Sequence, residues 1–125
     1  NLIIKKNGKE ITVLQDIKNI SNVMKKSDII ITSAGVTLIE ILTIGVPSII
    51  ITGDKHELEN SNRIVKKKAA ISLGYGKNIS QKILHKTVKE LIQNYKKRKL
   101  LSRNAQKISD GKGLERIIKI IEKEI

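Results

Sequence analysis

The stretch DIIITSAGVTLIE, residues Asp28–Glu40, decides the fold of this chain. Residues 29–32 are apolar on both faces, which is typical of a strand in a covered parallel sheet. The small residues 33–35 predict a tight turn, and a helix is predicted from 37 to 44. A second apolar strand, residues 47–51, starts at a proline, where a missing N–H is tolerated. The order strand, turn, helix, strand indicates an α/β unit.

The same alternation continues on both sides of this stretch. Gly45 is predicted to end the central helix as its C′ residue, and Asp16 and Ser80 are predicted to cap the helices that follow them. The other predicted elements are strands over 11–14 and 70–73 and helices over 17–26, 57–68, 81–95, 96–107 and 113–124. This pattern predicts an α/β fold with a Rossmann-like parallel sheet flanked by helices, forming a single domain over residues 1–125.

The turn between the first apolar strand and its helix has the chemistry of an anion site. The small residues Ser33, Ala34 and Gly35 let the backbone come close to a ligand, and the first N–H groups of the helix point outward with about half a positive charge. Glu40 lies three residues past Thr37 and can accept hydrogen bonds from sugar hydroxyls. Together these features indicate a nucleotide or nucleotide-sugar. The alternative is that Gly35 only forms a turn and Thr37 only caps the helix, and spacing alone leaves both open.

The charge of the chain is strongly positive, with a formal net charge of +13. Only four of the 25 basic residues are arginines, however, and aromatic residues make up 2% of the chain. Proteins that read bases use arginine forks or aromatic platforms, so we expect no specific nucleic-acid partner. Peripheral contact of the lysine-rich helix faces with an anionic membrane surface stays open as an alternative.

Other classes of function are excluded by what the chain lacks. There is no cysteine, so no disulfide framework or thiolate metal site is expected. Asp16, Asp28 and Asp54 do not have the spacing of metal ligands, and we expect neither a metal nor a cofactor. The apolar runs are short for a membrane span and no signal peptide is recognisable, which predicts a cytoplasmic location. Because the sequence begins with Asn1 rather than Met, we expect it to be part of a longer protein.

Three motifs follow one another along the chain. Residues 33–40 read Ser-Ala-Gly-x-Thr-x-x-Glu, and residues 45–48 read Gly-x-Pro-Ser. Residues 56–61 read His-Glu-x-x-Asn-Ser, with Lys-Ala-Ala at 68–70, and residues 110–117 read Asp-Gly-Lys-Gly-Leu-Glu-Arg-Ile. The first motif resembles the C-terminal nucleotide-binding half of the two-domain GT-B nucleotide-sugar enzymes. The second is similar to the lipid II N-acetylglucosaminyltransferase family, and the third resembles the pseudaminic acid pathway UDP-sugar hydrolases and their spore-coat polysaccharide relatives.

The resemblance implies a role for each residue of the first motif. Ser33, Ala34, Gly35 and Thr37 would hold the diphosphate of a UDP-sugar, and Glu40 would accept hydrogen bonds from the ribose. The fold implied is one half of a GT-B enzyme. Its partners would be the UDP-sugar and an N-terminal acceptor domain or a partner subunit.

The second motif implies a catalytic role for His56, with Glu57 and Asn60 near the sugar or the distal phosphate. Asn60 has the alternative role of capping its own helix. Glu57 stands where the relatives have glutamine, which adds a negative charge near a diphosphate unless it is neutralised or turned away. His56 replaces the asparagine of the hydrolases. Lys68 replaces a glycine, so the turn there is expected to avoid positive φ.

These observations predict that the chain binds the diphosphate of a UDP-sugar within a glycosyltransferase or a nucleotide-sugar hydrolase of surface glycan biosynthesis. A second hypothesis is a non-catalytic subunit of a split glycosyltransferase. A third is electrostatic binding of nucleic acid or anionic lipid by the lysine surface. The third motif is expected to be structural, with Asp110 and Gly111 in a turn and Arg116 paired inside the domain or across to the other half.

Overall fold

The computed structural model describes residues 2–125 of the chain. A parallel sheet forms its centre and has the strand order β3-β4-β5. A separate antiparallel hairpin, β1-β2, precedes it. The predicted α/β fold with a parallel sheet flanked by helices is confirmed. In chain order the elements are β1 (Leu2–Lys6), β2 (Lys9–Val13), α1 (Ile20–Lys25), β3 (Ile30–Thr32), α2 (Val36–Ile44), β4 (Ser48–Thr52), α3 (Lys55–Lys66), β5 (Ile71–Tyr75), a 3₁₀ turn (Gly76–Asn78), α4 (Gln81–Gln93), α5 (Tyr95–Ile108) and α6 (Gly113–Glu124).

The central strand β4 is covered on both faces, as its unbroken run of isoleucines predicts. Ile50 lies in one apolar cluster with buried residues of α2, α3 and α5. Ile49 points the other way and packs with Leu91 of α4 and Leu101 of α5. Successive side chains of a strand point to opposite faces, so two adjacent isoleucines hold two helix layers onto one sheet.

The order of the elements brings two helix N-termini next to each other. β3 pairs in parallel with β4, and Thr32 at the end of β3 is opposite Ile50. α2 begins shortly after β3, and α3 begins shortly after β4. Both helices therefore start at the carboxyl edge of the parallel sheet, which is where ligands bind in folds of this class.

The hairpin β1-β2 was only half predicted, because the expected strand over 11–14 is its second strand. Asn7 and Gly8 at its turn have φ angles of 53° and 72°, as a type I′ turn requires. An Asn-Gly pair between alternating runs is the sequence signal that would have found it. Every residue of the hairpin strands except the half-buried Val13 is exposed, so the hairpin adds little to the core.

Several predicted helix boundaries are wrong. α1 begins at Ile20 with Asn19 as its N-cap, whereas Asp16 has a φ of 53° in the preceding loop and caps no helix. The predicted helix over 81–95 ends at Gln93, because Asn94 starts the next helix by accepting the Lys97 N–H at 2.9 Å.

Two predicted helix ends are confirmed and one backbone prediction is wrong. Gly45 ends α2 with a φ of 85°, and Ser80 caps α4 by accepting the Ile83 N–H at 3.2 Å. Lys68 has a φ of 53°, contrary to the expectation that the turn avoids positive φ. The Lys68 carbonyl accepts a hydrogen bond from Asn104 Nδ2 at 3.0 Å, which helps to hold this conformation.

Within residues 2–125, no helix has both the length and the apolar character needed to span a membrane.

Candidate functional site

The start of α2 is open to solvent. Its N-cap residue is Gly35, in extended backbone, and no side chain caps the helix. The neighbouring helix α3 is capped by Asp54, and α4 and α5 are capped by Ser80 and Asn94. α1 and α6 also begin without a side-chain cap, but of the α-helices within residues 2–125 only α2 combines this with a position directly after a strand of the parallel sheet. The alternative that Thr37 caps α2 is therefore wrong.

The four predicted diphosphate-binding residues surround this helix start. Ser33, Gly35 and Thr37 are exposed, whereas Ala34 is buried in the cluster formed by α2, α3 and α5. Ala34 thus anchors the turn by its methyl group, and only its backbone can meet a ligand. The first N–H groups of a helix have no partner within the helix, so this turn offers an anion several donors and the positive end of the helix dipole.

Glu57 reaches across from α3 towards the same place. Its Oε2 accepts the Gly53 N–H at 2.7 Å, and its own N–H donates to Asp54 Oδ1 at 2.9 Å. Its Oε1 lies 3.9 Å from the position that a Cβ on Gly35 would occupy. Among the residues from 2 to 125 no basic side chain forms an ion pair with Glu57. The carboxylate is therefore neither neutralised nor turned away from the start of α2.

α3 presents a polar stripe beside this site. The helix begins at Lys55, which places His56 in its first turn and Asn60 well inside it, so the alternative of Asn60 as a helix cap is wrong. His56, Asn60, Arg63 and Lys67 are spaced by four, three and four residues, and helical geometry puts side chains at this spacing on one face. His56 and Asn60 are both exposed.

A groove of about 800 Å³ runs between α2 and α3 from the start of α2. Asn60 lines it together with Gly35, and three basic residues, Arg63, Lys66 and Lys67, form part of its wall. Its apolar lining comes from Ala34, Val36, Leu38, Ile39, Ile64 and Ile108. Sequence reasoning missed Arg63. Its position three residues after Asn60, on the same helix face, is the signal that could have identified it.

Glu40 lies on the other side of α2. It lines a second groove, of about 570 Å³, together with residues of α1 and the preceding loop such as Lys18 and Ser21. The structure thus brings Ser33, Gly35, Glu57 and Asn60 together at the start of α2, and it places Glu40 one helical turn further on, facing α1.

The third motif forms the corner between α5 and α6. Asp110 accepts a hydrogen bond from the Arg116 guanidinium and another from the Lys112 N–H at 3.0 Å. The bond from Arg116, followed by that from Lys112, holds the pKa of Asp110 below its usual value. Gly111 has a φ of 74° in this corner. The expected turn and the pairing of Arg116 inside the domain are confirmed.

Across the described part of the chain, no group of three or more histidine, aspartate or glutamate side chains could hold a metal ion. His56 is exposed and lies beside Glu57 in the first turn of α3.

The fold and this site define an α/β domain with an open helix N-terminus at the carboxyl edge of a parallel sheet. Residues 2–119 match the family model of the glycosyltransferase family 28 C-terminal domain, and the chain belongs to that family.

Curated relatives agree with this assignment. The chain is 24% identical over 110 residues to the spore coat polysaccharide biosynthesis protein SpsG of Bacillus subtilis, covering 88% of this chain and 32% of that protein. It is 35% identical over 109 residues to the UDP-N-acetylglucosamine--N-acetylmuramyl-(pentapeptide) pyrophosphoryl-undecaprenol N-acetylglucosamine transferase of a Thermoanaerobacter species, covering 83% of this chain and 30% of that enzyme. The transferase of Desulforamulus reducens is 28% identical over 112 residues, 86% of this chain and 30% of that enzyme. The chain thus spans about a third of the length of these relatives.

Proposed function

We propose that this chain binds the diphosphate of a UDP-sugar, as the donor-binding part of a glycosyltransferase or nucleotide-sugar hydrolase of surface glycan biosynthesis. The observation that carries the proposal is the uncapped start of α2, with Gly35 at the N-cap, beside the carboxyl edge of the sheet. Membership of the family supports it, and so do the transferase relatives, whose name includes UDP-N-acetylglucosamine.

The diphosphate would be held at the start of α2. The exposed hydroxyls of Ser33 and Thr37 and the backbone N–H groups after Gly35 would donate hydrogen bonds to its phosphate oxygens. In transfer or hydrolysis at the anomeric carbon, the leaving group is a nucleoside diphosphate whose oxygens gain negative charge. The fixed helix N-terminus would stabilise that growing charge without reorganising.

The groups on either side would complete the ligand. Glu40, on the α1 side of the helix, would accept hydrogen bonds from the ribose hydroxyls. Asn60, in the groove on the α3 side, would contact the sugar or the distal phosphate. His56, exposed in the first turn of α3, is the residue we propose for the catalytic role, since imidazole can exchange a proton near neutral pH.

Calorimetric titration of the folded protein with UDP tests the proposal. Thr37→Ala and Glu40→Ala should each weaken UDP binding, through the phosphate and the ribose respectively. Thr87→Ala and Glu59→Ala serve as matched controls, because the half-buried Thr87 and the exposed Glu59 lie on other helices, and both changes should leave the affinity unchanged. Absence of binding at millimolar UDP, or equal losses in the control variants, would argue against the proposal.

We further propose that a second, acceptor-binding unit completes the site, either in the same polypeptide or as a partner subunit. This is supported by the chain covering about a third of the relatives' length and by the exposed apolar side chains of α6. Leu114, Ile117, Ile118 and Ile121 of this helix are 45–70% exposed. A gene neighbour that encodes only an acceptor-binding half would favour the split glycosyltransferase. An in-frame upstream half would favour one polypeptide.

The many lysines of the chain, which has a formal net charge of +13, suggest a different function, electrostatic binding of nucleic acid or anionic lipid. Titration with a DNA duplex and with UDP at two salt concentrations separates it from the first. Electrostatic binding to a DNA duplex falls steeply with salt and ignores sequence. We expect weak duplex binding that disappears at high salt and saturable UDP binding that persists. The reverse result would favour an electrostatic role for the basic surface.

A further inference from the structure

The carboxylate of Glu57 is the feature of the site that its proposed ligand does not explain. One of its oxygens accepts the Gly53 N–H, and the other lies 3.9 Å from the position of a Cβ on Gly35. A negative charge therefore stands beside the open start of α2 in the free protein, next to the place proposed for a diphosphate. An internal anion at an anion site affects which external anions can bind there.

The position of Glu57 is fixed by the start of its own helix. The Asp54 side chain accepts the Glu57 N–H, and the Glu57 side chain reaches back to the Gly53 N–H, one residue before the cap. This arrangement is close to a capping box, in which glutamine serves as well as glutamate at the third helical position. A glutamine at position 57 can keep the hydrogen bond to Gly53 and lose only the charge. The structural and electrostatic roles of this side chain are therefore separable by experiment.

The charge distinguishes two forms of the ligand, an argument that rests on the proposed function. In a nucleotide-sugar the distal phosphate is esterified on both sides and carries one negative charge. In the free nucleoside diphosphate the terminal phosphate is a monoester and carries about −1.5 to −2 charges at pH 7. A nearby carboxylate repels the second form more strongly than the first.

We propose that Glu57 is a specificity-determining residue that disfavours the free nucleoside diphosphate relative to its sugar ester. No basic side chain in the described chain pairs with Glu57, so its charge is not cancelled locally. Arg63, Lys66 and Lys67 lie along the groove wall, where they attract the more highly charged free diphosphate more strongly than its sugar ester. The carboxylate of Glu57 opposes this preference for the free diphosphate, and for a transferase it would favour release of the spent nucleotide.

The size of the effect follows from Coulomb's law. Two unit charges about 5 Å apart in water-like surroundings repel by an energy equivalent to about fourfold in affinity. Removing the charge of Glu57 should therefore tighten binding of UDP-N-acetylglucosamine by about fourfold and binding of UDP by about tenfold or more. The ratio of the dissociation constant of UDP to that of UDP-N-acetylglucosamine should therefore fall by about threefold.

The experiment is calorimetric titration of the wild-type protein, Glu57→Gln and Glu59→Gln with UDP and with UDP-N-acetylglucosamine. Glu59 is exposed on the same helix, and Glu59→Gln removes the same charge two residues away. We expect the ratio to shift in Glu57→Gln alone. Circular dichroism and the melting temperature check that the capping bond survives.

The outcomes separate this inference from the proposed function. If the wild-type protein binds UDP but the ratio is unchanged in Glu57→Gln, the proposed role of Glu57 is wrong and the proposed function is unaffected. Weaker sugar-nucleotide binding in Glu57→Gln also overturns it, since Glu57 would then be a ligand contact. If neither protein binds nucleotide, both proposals fail. A further measurement is the difference in this ratio between the wild type and Glu57→Gln at rising salt, which should shrink as screening weakens the repulsion, and a difference that is constant with salt contradicts the inference.

Discussion

Replacing Gly35 with alanine adds one methyl group at the point where a diphosphate would meet the backbone. The backbone of Gly35 has a φ of −80° and a ψ of −164°, which any residue can adopt. The nearest atoms to the new methyl would be Ser33 Oγ at 3.8 Å and Glu57 Oε1 at 3.9 Å, which is ordinary contact distance. The methyl therefore projects into the space between the candidate ligand-binding groups without a clash inside the protein.

Two opposing effects leave the stability of this variant almost unchanged. Alanine is a poorer N-cap than glycine, which costs about 0.5–1 kcal/mol. Alanine also restricts the unfolded chain, which contributes about 0.4–1 kcal/mol in the other direction. The net change is within about 0.5 kcal/mol, which corresponds to a shift in melting temperature of about 2 °C or less.

Nucleotide binding should respond far more strongly. A methyl group at Gly35 keeps the ligand from the first N–H groups of α2, and each charge-assisted hydrogen bond contributes about 1.5–3 kcal/mol. We expect UDP affinity to fall at least about tenfold, measured by calorimetry. Gly113→Ala is the control, since Gly113 is the first residue of α6, one position after the N-cap, and a Cβ there would meet nothing within 4 Å. A folded Gly35→Ala protein that binds UDP like the wild type would refute the placement of the diphosphate at α2.

Three further predictions concern the ribose contact and the fold. Glu40→Ala should reduce the affinity for UDP but not for inorganic diphosphate, and equal losses by calorimetry would remove the ribose role. Gly45→Ala should lower the free energy of unfolding by at least about 1 kcal/mol in urea titrations, because position 45 needs positive φ and the new Cβ would lie 2.8 Å from the Gln106 side chain. Arg116 lowers the pKa of Asp110 from 3.8, so this carboxylate stabilises the folded state above that pH and loses its effect as the pH falls through the lowered value. Asp110→Asn should therefore melt below the wild type at neutral pH, with the gap closing in strong acid, and a gap that is constant with pH would contradict this account.

The parallel sheet and the start of α2 could be predicted because both depend on local pattern. The isoleucine run of β4 has no polar face and is covered on both sides as predicted, whereas Ile31 of the edge strand β3 is 49% exposed, contrary to the expectation of a covered strand there. Gly45 was predictable for a similar reason, since a helix that ends at a glycine needs its left-handed conformation there.

Side-chain direction could not be predicted, because it depends on contacts between segments. Asp54 and Glu57 have the spacing of a capping box, yet nothing local says that the second carboxylate also reaches the start of a neighbouring helix. The position of Glu40 on the α1 side, away from Asn60, is likewise fixed by how α2 packs between its neighbours. Lys68 shows the same limit for the backbone, since a bond from Asn104 in a distant helix supports its positive φ.

The two helices that start at the carboxyl edge of the sheet differ in how their first N–H groups are satisfied. α3 satisfies its first N–H groups with the carboxylate of Asp54, and Glu57 reinforces that end. α2 has Gly35 as its N-cap, although a serine or aspartate at that position would cap it and stabilise the helix by about 0.3 kcal/mol more. The N-terminus of α3 is therefore capped by the protein's own side chains, whereas that of α2 is not. A glycine that forgoes a stabilising cap is expected where an outside anion takes the place of the cap, as binding sites often keep groups that do not favour stability. The carboxylate of Glu57 at the rim of the open end then favours the less charged of two competing anions, and this links the choice of glycine at 35 to the choice of glutamate at 57.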